Sequence, residues 1–286
     1  MTCPPIELAR GRPRDFCAAR QWCLVTGAVD PLTPSSARIY DYWLGGKDHY
    51  AVDREAAEQA IAANPGIVAD VQANRAFLAR AVRYLAGECG IRQFLDIGTG
   101  LPTASNTHQV AQATAPSSRI VYVDNDPVVL AHARALLTSS PGGATAYLDH
   151  DLRQVDQILE GAAATLNLSQ PVAVMLLIVL HLIPDADDPR GTVSRLMSRL
   201  APGSYLVISH PASDIRPAAM AEMTRRVNAR LASARGTMRN RAEIADFFDG
   251  LTLVEPGVVQ PQHWRPAGPV AEADVTAWCG VALRSG

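Results

Sequence analysis

The chain has 286 residues, of which 48% are hydrophobic, with 26 Lys and Arg against 28 Asp and Glu. A net charge of −2 without a basic run argues against binding to nucleic acid or to an acidic membrane surface. The five cysteines form no CxxC pair, which predicts free thiols and no metal site. The longest apolar run, Val172 to Leu180, is too short to cross a bilayer, and the N-terminus lacks an apolar signal core, so we expect a cytoplasmic protein.

The pattern divides the chain into an irregular N-terminal extension and one domain. Residues 1–33 mix Pro, Arg and Cys without a period. Residues 34–286 form the predicted domain, with a helical cap over 34–90 and an α/β core over 91–286. A helical insertion is expected in the core at about 213–240.

A segment near the start of the cap combines aromatic residues, two glycines and a Lys-Asp pair. One interpretation is a helix that begins at Ser35, buries Ile39 and ends at Gly45. The other adds a function, in which Gly46 and Lys47 belong to a lid over a ligand. The spacing favours neither interpretation.

Further along, apolar runs alternate with helical patterns. Two helices are expected in the cap, over 53–63 and 67–85. In the core, a helix is expected from Thr103 to Ala115. Seven strands are expected, over 94–97, 119–123, 144–148, 172–180, 205–209, 251–255 and 276–283. The alternation predicts a doubly wound, Rossmann-like and mostly parallel seven-stranded α/β sheet, closed by an antiparallel C-terminal hairpin.

Three of the predicted strands end in an acid: Asp96, Asp124 and Asp151. Ligands of open α/β sheets bind beyond the carboxyl ends of the strands, and the spacing from Gly100 to Asp124 suits an acid that binds ribose hydroxyls. The turn reads Gly98-Thr99-Gly100 and lacks the third glycine of a pyrophosphate site. A ligand with a sugar and a base but no diphosphate fits better.

The sequence contains a set of distinctive motifs: ARIYDYWLGGKD (37–48), FLDIGTGLPT (94–103) followed by NTH (106–108), YVDNDP (122–127), DHDLR (149–153), FFDGL (247–251) and WRP (264–266). Together these motifs resemble class I S-adenosylmethionine-dependent methyltransferases, and more narrowly an actinobacterial methyltransferase family. The resemblance covers residues 34–283 and implies S-adenosyl-L-methionine as cofactor and methyl transfer as activity.

The resemblance also implies a role for each strand end. Gly98, Thr99 and Gly100 would let the backbone pass close to the methionine moiety, and Asp96 would approach its ammonium group. Asp124 would accept hydrogen bonds from the ribose hydroxyls.

At the adenine, Asn125 would lie against the ring, Asp151 would accept from the amino group and the Leu152 N–H would serve a ring nitrogen. The cap residues Tyr40, Tyr42 and Lys47 would close over the cofactor or orient the methyl acceptor, with Gly46 in the lid beside them.

The sequence says less about the methyl acceptor and about the residues that would act on it. Methyl transfer needs a general base only when the acceptor loses a proton, and His181, after the fourth strand, is our candidate for that base. Near-neutral charge and the aromatic cap favour a small organic acceptor. Two alternatives remain open, a catalytically silent cofactor-binding protein and a nicotinamide-dependent oxidoreductase.

Overall fold

The computed structural model describes residues 30–103, 105–136, 139–231, 235–270 and 272–286, and it contains a seven-stranded sheet. The strands are Gln93–Ile97 (β1), Arg119–Asp124 (β2), Ala144–Asp149 (β3), Ala173–Leu177 (β4), Tyr205–Pro211 (β5), Thr252–Leu253 (β6) and Ala277–Leu283 (β7). Each lies where an apolar run predicts a strand. Most of the predicted extension, residues 1–29, lies outside the described residues.

The strand order is β3-β2-β1-β4-β5-β7-β6. Strands β1 to β5 pair in parallel, whereas β7 runs antiparallel to both of its neighbours, β5 and β6. The direction of winding reverses between β1 and β4, which makes the carboxyl end of this pair the switch point where ligands of such sheets bind. The predicted sheet is confirmed, and β6 is the edge strand beside β7.

The helices fall between the strands and ahead of β1. They are Ser36–Trp43 (α1), Ala51–Ala63 (α2), Ile67–Gly87 (α3), Thr107–Thr114 (α4), Pro127–Leu136 (α5), Val155–Ala162 (α6), Pro189–Ser198 (α7), Pro217–Asn228 (α8) and Arg241–Ala245 (α9). Across the described ranges, no helix has both the length and the apolar character needed to span a membrane.

The predicted start of α4 at Thr103 is wrong. The helix begins at Thr107, where the N-cap Asn106 exchanges hydrogen bonds with Gln109, its own N–H donating to the Gln109 side chain at 2.9 Å. The Asn106 side chain also accepts the Thr103 N–H at 3.1 Å. Thr103 therefore belongs to a loop that the capping residue closes, and not to the helix.

The core lies on both faces of the sheet. Along β4, Val174 and Leu176 pack on the face covered by α6 and α7, while Ala173 and Met175 pack on the face covered by α3 and α4. A central parallel strand covered on both sides needs apolar residues at every position, which explains the unbroken run in the sequence.

The helices before β1 pack together with α8. Ala60, Ile67 and Val71 of α2 and α3 form a buried cluster with Met220 and Met223 of α8. The predicted insertion thus contacts the predicted cap. The division of the chain into extension, cap and core stays a prediction.

Candidate functional site

The turn after β1 lies at the switch point and depends on two glycines. Gly98 and Gly100 have φ values of +73° and +64°, a backbone conformation that L side chains rarely adopt. A Cβ added at Gly98 would lie 2.2 Å from Cγ2 of Val179, whereas a Cβ at Gly100 would meet nothing within 4 Å. Gly98 is therefore required by the packing of the protein, and Gly100 faces open space.

Asp124 ties the end of β2 to this turn. Its Oδ2 accepts the Gly100 N–H at 2.9 Å and its Oδ1 accepts the Asp126 N–H at 3.0 Å. The residue is 9% exposed, and burial raises the pKa of the carboxyl. Each oxygen uses one lone pair within the protein, so the carboxylate can accept further hydrogen bonds from a ligand.

Asp96 is buried at the end of β1. Its Oδ2 accepts the hydroxyl proton of Thr107, the first residue of α4, at 2.6 Å. Burial raises the pKa of the Asp96 carboxyl to about 6. The acid thus links the strand end to α4, and it gains its charge at a higher pH than an exposed carboxyl does.

Asp151, after β3, is bound on both oxygens. Arg153 donates to Oδ1 from its backbone N–H and its Nε, and to Oδ2 from its Nη2 at 2.8 Å. Asn125 donates to Oδ2 at 3.2 Å. These hydrogen bonds from Arg153 lower the pKa of the Asp151 carboxyl, so it is a carboxylate at neutral pH.

Leu152, between Asp151 and Arg153, has a buried side chain and a backbone N–H without a partner among the described residues. Its side chain is buried in the core. Its N–H donates to no other group in the described part of the chain, which leaves it available to a ligand. The short run 151–153 therefore combines a carboxylate, an unused amide and a guanidinium that also reaches Asp187 at 2.7 Å.

Helix α1 crosses the carboxyl edge of the sheet. Near one end Ala37 packs against Leu101, Val128 and Val129, and Ser35 donates to Asp126 at 2.6 Å. The predicted lid residues follow this helix. The structure places α1 over the loops that carry the glycine turn and Asp124.

Two of the lid residues differ in their surroundings. A Cβ at Gly46 would lie 1.9 Å from Oδ1 of Asp41, so the protein itself requires glycine there. The buried Asp41 carboxylate also accepts the Asp48 N–H at 2.9 Å, which closes the loop. Lys47 is exposed at the tip of that loop.

His181 lies in a 3-10 turn, Leu180–Leu182, that follows β4. Its Nδ1 is buried and has no hydrogen-bond partner among the described residues. Burial, with a smaller effect of the Arg239 charge, lowers the pKa of His181 to about 4. The imidazole is therefore neutral at physiological pH.

Arg239 holds this turn in place. Its guanidinium donates to the carbonyls of Leu180 and Ile183 at 3.1 and 2.9 Å and to Asp185 at 2.6 Å. It also donates to Nε2 of the buried His210 at 2.9 Å. Since Arg cannot accept, Nε2 of His210 carries no proton, and its Nδ1 donates to the Pro211 carbonyl. His210 is a structural residue.

The structure thus brings Asp96, Gly100 and Asp124 together at the switch point. The sequence interpretation missed Thr107, Arg239 and the buried Asn74 of α3 as residues of this region. Asn74 had a usable signal, because it lies three residues after Val71 on the apolar face of the helix, where a polar residue needs a partner. Arg239 had none, because its partners are distant in sequence.

A cavity of about 750 Å³ opens at the opposite edge of the sheet. Its lining includes the first residues of three strands, Gln93, Arg119 and Tyr205. It lies away from the acids and the glycine turn and does not belong to this site.

A family model described as S-adenosyl methyltransferase matches residues 25–285. The chain belongs to this family of methyltransferases. No curated protein matched this methyltransferase in sequence.

Two solved structures are similar to the methyltransferase along most of its length. A DUF574 family protein from Streptomyces avermitilis has 43% identity and a TM-score of 0.85, over 88% of this chain and 98% of that one. A putative methyltransferase from Thermobifida fusca has 39% identity and a TM-score of 0.82, over 89% and 96%. The plantazolicin methyltransferase BpumL, solved with SAH, has 10% identity and a TM-score of 0.53 over 87% and 96%, which shows the fold alone.

Proposed function

We propose that this methyltransferase uses S-adenosyl-L-methionine as methyl donor and acts on a small organic molecule. The hydrogen bond between Gly100 and Asp124 carries the proposal, because it sets a carboxylate with free lone pairs beside a turn open to a ligand. The narrower family resemblance, through the motifs at 37–48 and 94–103, supports the same cofactor.

The residues at the switch point fit the nucleoside and amino-acid parts of that cofactor. Asp124 would accept from the ribose hydroxyls, and Gly98, Thr99 and Gly100 would line the methionine moiety. Asp96 would approach its ammonium group. The turn has two glycines and no third, which matches a cofactor without a pyrophosphate.

At the adenine end, the unused Leu152 N–H would serve a ring nitrogen and Asn125 would lie against the ring. Asp151 already accepts four hydrogen bonds from Arg153 and Asn125. Its acceptance of the adenine amino group therefore requires one donor to move. The Asn125 bond, at 3.2 Å, is the longest of the four and the one we expect to be replaced.

The cap would enclose the bound cofactor. Helix α1 already lies across the carboxyl edge, and Tyr40 lies on it near α3. Gly46 and Lys47 would form the tip of the lid, although the glycine also has the structural cause given above. Enclosure excludes water from the reacting centre and favours an acceptor small enough to enter.

The cofactor would supply an electrophilic methyl group on a sulfonium. The protein's part is then to orient the acceptor and to hold its proton where one is lost. His181 is the candidate for that role, because its buried Nδ1 has no hydrogen-bond partner among the described residues.

The proposal is tested by incubating the protein with methyl-labelled donor and a size-filtered metabolite extract. We expect label in a small-molecule product, and loss of that product in the Asp124→Ala variant. Tight binding of SAH with no transfer of label to any extract component would contradict the catalytic part and indicate a cofactor-binding protein.

A further inference from the structure

A chain of hydrogen bonds runs from the sheet to α1. The hydroxyl of Ser209, near the carboxyl end of β5, donates to Oδ1 of Asn74 at 2.6 Å. Nδ2 of Asn74 in turn donates to the hydroxyl oxygen of Tyr40 at 2.8 Å. Ser209 and Asn74 are both buried, so the chain is shielded from solvent.

The hydrogen bonds from Ser209 to Asn74 and from Asn74 to Tyr40 set the direction of the Tyr40 hydroxyl. Because Ser209 donates to the carbonyl end of the Asn74 amide, the amino end faces Tyr40 and the phenol oxygen must accept. The phenol proton then points elsewhere. Its acceptor within the described residues is the Val71 carbonyl, at the long distance of 3.4 Å. That carbonyl oxygen lies in α3, where it also accepts the backbone N–H four residues further along the helix.

Tyr40 keeps that proton at neutral pH, because burial raises the pKa of its hydroxyl. It is therefore a donor whose proton is weakly used inside the protein. A stronger acceptor, such as a carboxylate, would replace the Val71 carbonyl.

A positive charge lies beside this donor. Arg75 follows Asn74 on α3, and its charge lowers the pKa of both Tyr40 and Asp96, so the guanidinium is near each of them. Its Nη2 also donates to the Ser105 carbonyl at 3.1 Å, in the loop after the glycine turn. A hydroxyl donor and a cation thus lie near the loop that follows the glycine turn.

We propose that Asn74 is a positioning residue that turns the Tyr40 hydroxyl toward the α-carboxylate of the bound methyl donor. Arg75 supplies the positive charge beside that carboxylate. The proposal rests on the proposed function, because it takes the methionine moiety to lie along the glycine turn. The carboxylate is a pure acceptor, so the Tyr40 hydroxyl can bind it only while its proton is free of other acceptors.

The first test compares two ligands by calorimetry, SAH and its decarboxylated form, which lacks only the carboxylate. Tyr40→Phe should raise the Kd of SAH about tenfold, as expected for a hydrogen bond to a charged group, and leave the decarboxylated ligand almost unaffected. Tyr84→Phe, which changes a tyrosine of α3 packed against Trp264, is the control and should change neither. Equal losses for both ligands in Tyr40→Phe would contradict a contact with the carboxylate.

The second test reverses the direction of the hydroxyl. In Asn74→Asp the new carboxylate accepts from Ser209 and from Tyr40, which draws the phenol proton away from the ligand. We expect weaker SAH binding in the wild-type background and little further loss in a Tyr40→Phe background. A loss of the same size in both backgrounds would show that the new charge acts by repulsion, and would overturn the role of Asn74.

Ser209→Ala tests the same direction without a new charge. It frees the Asn74 amide to turn and should weaken SAH binding several-fold, again only when Tyr40 is present. Unchanged affinity in both Asn74→Asp and Ser209→Ala would contradict the proposal. Wild-type protein that binds neither SAH nor S-adenosylmethionine would instead contradict the proposed function itself.

Discussion

The backbone N–H of Gly100 donates to Oδ2 of Asp124 at 2.9 Å, and this bond joins the turn after β1 to the end of β2. The two groups come from neighbouring parallel strands, paired in register from Gln93 with Arg119 to Ile97 with Val123. The carboxylate is thereby fixed before any ligand binds, so little ordering is needed on binding.

Replacing Asp124 with Ala should weaken cofactor binding by about 1–3 kcal/mol, because the ribose hydroxyls lose their acceptor. Calorimetric titration with SAH measures the change. Asp149→Ala is the matched control, since Asp149 is an exposed acid at the end of the next strand. Equal affinity in the Asp124 variant and the wild type would show that a different acid binds the ribose.

The two glycines of the turn should respond differently to substitution by Ala. Gly98→Ala drives a methyl group into Val179 and should lower the melting temperature markedly. Gly100→Ala meets no protein atom and costs only the backbone strain of about 1–2 kcal/mol, but its methyl group enters the space assigned to the cofactor.

We therefore expect Gly100→Ala to abolish SAH binding in a protein that still folds. Thermal unfolding and SAH titration of the two variants separate the effects. A Gly100→Ala protein with wild-type affinity would contradict the placement of the methionine moiety along the turn.

Asp96 should make the fold less stable as the pH rises. Burial raises its pKa to about 6 from a usual value near 4, so between these values the folded protein binds more protons at this site than the unfolded chain. The free energy of unfolding then falls with increasing pH across this window. Asp96→Asn lacks the effect and can still accept the Thr107 hydroxyl.

Relative to the wild type, the Asp96→Asn variant should gain about 2 kcal/mol of stability between pH 4 and pH 7. Urea unfolding of both proteins at the two pH values measures the gain, and the subtraction removes every other titrating group. A stability difference independent of pH would show that the acid has its ordinary pKa.

His181 should stay neutral throughout the neutral range. Its pKa of about 4 arises first from burial and then from the nearby Arg239 charge. An NMR titration of the imidazole, assigned with a His181→Gln variant, should show no ionisation from pH 6 to 8. A midpoint near the ordinary value of about 6.5 would contradict the buried, cation-facing position of the ring.

The strands, and the acids that follow them along the chain, could be predicted because local sequence encodes them. The run from Val172 to Leu180 and the sequence from Phe94 into Gly98 each carry the period or the turn residues of one element. Seven strands and the acids at their ends followed from such runs. The capping box at Asn240, where the Glu243 N–H donates to the Asn240 side chain at 3.0 Å, is equally local.

The start of α4 shows where local rules compete. Pro102 and Thr103 have the composition of a helix start, yet Asn106 offers a second cap three residues after Thr103 and accepts the Thr103 N–H as well. Sequence patterns rank such caps poorly, because the choice depends on where α4 must lie to bring Thr107 to Asp96.

Several side-chain contacts of the site could not be predicted from the sequence, because they join residues that are distant along the chain. Arg153 donates to Asp151, only two residues away, but it also donates to Asp187, 34 residues further along the chain. Arg239 reaches the turn of His181 across 58 residues, and Asn74 reaches Ser209 across 135. Such pairs depend on the packed fold and leave no periodic trace.

The glycine turn and Asp124 should bind an adenosyl cofactor and not a dinucleotide. Calorimetric titration of the wild-type protein with SAH, S-adenosylmethionine and NAD decides it. We predict saturable one-to-one binding of the first two, lost in Gly100→Ala, and no binding of NAD. Binding of NAD with no response to either adenosyl ligand would contradict the account and favour an oxidoreductase.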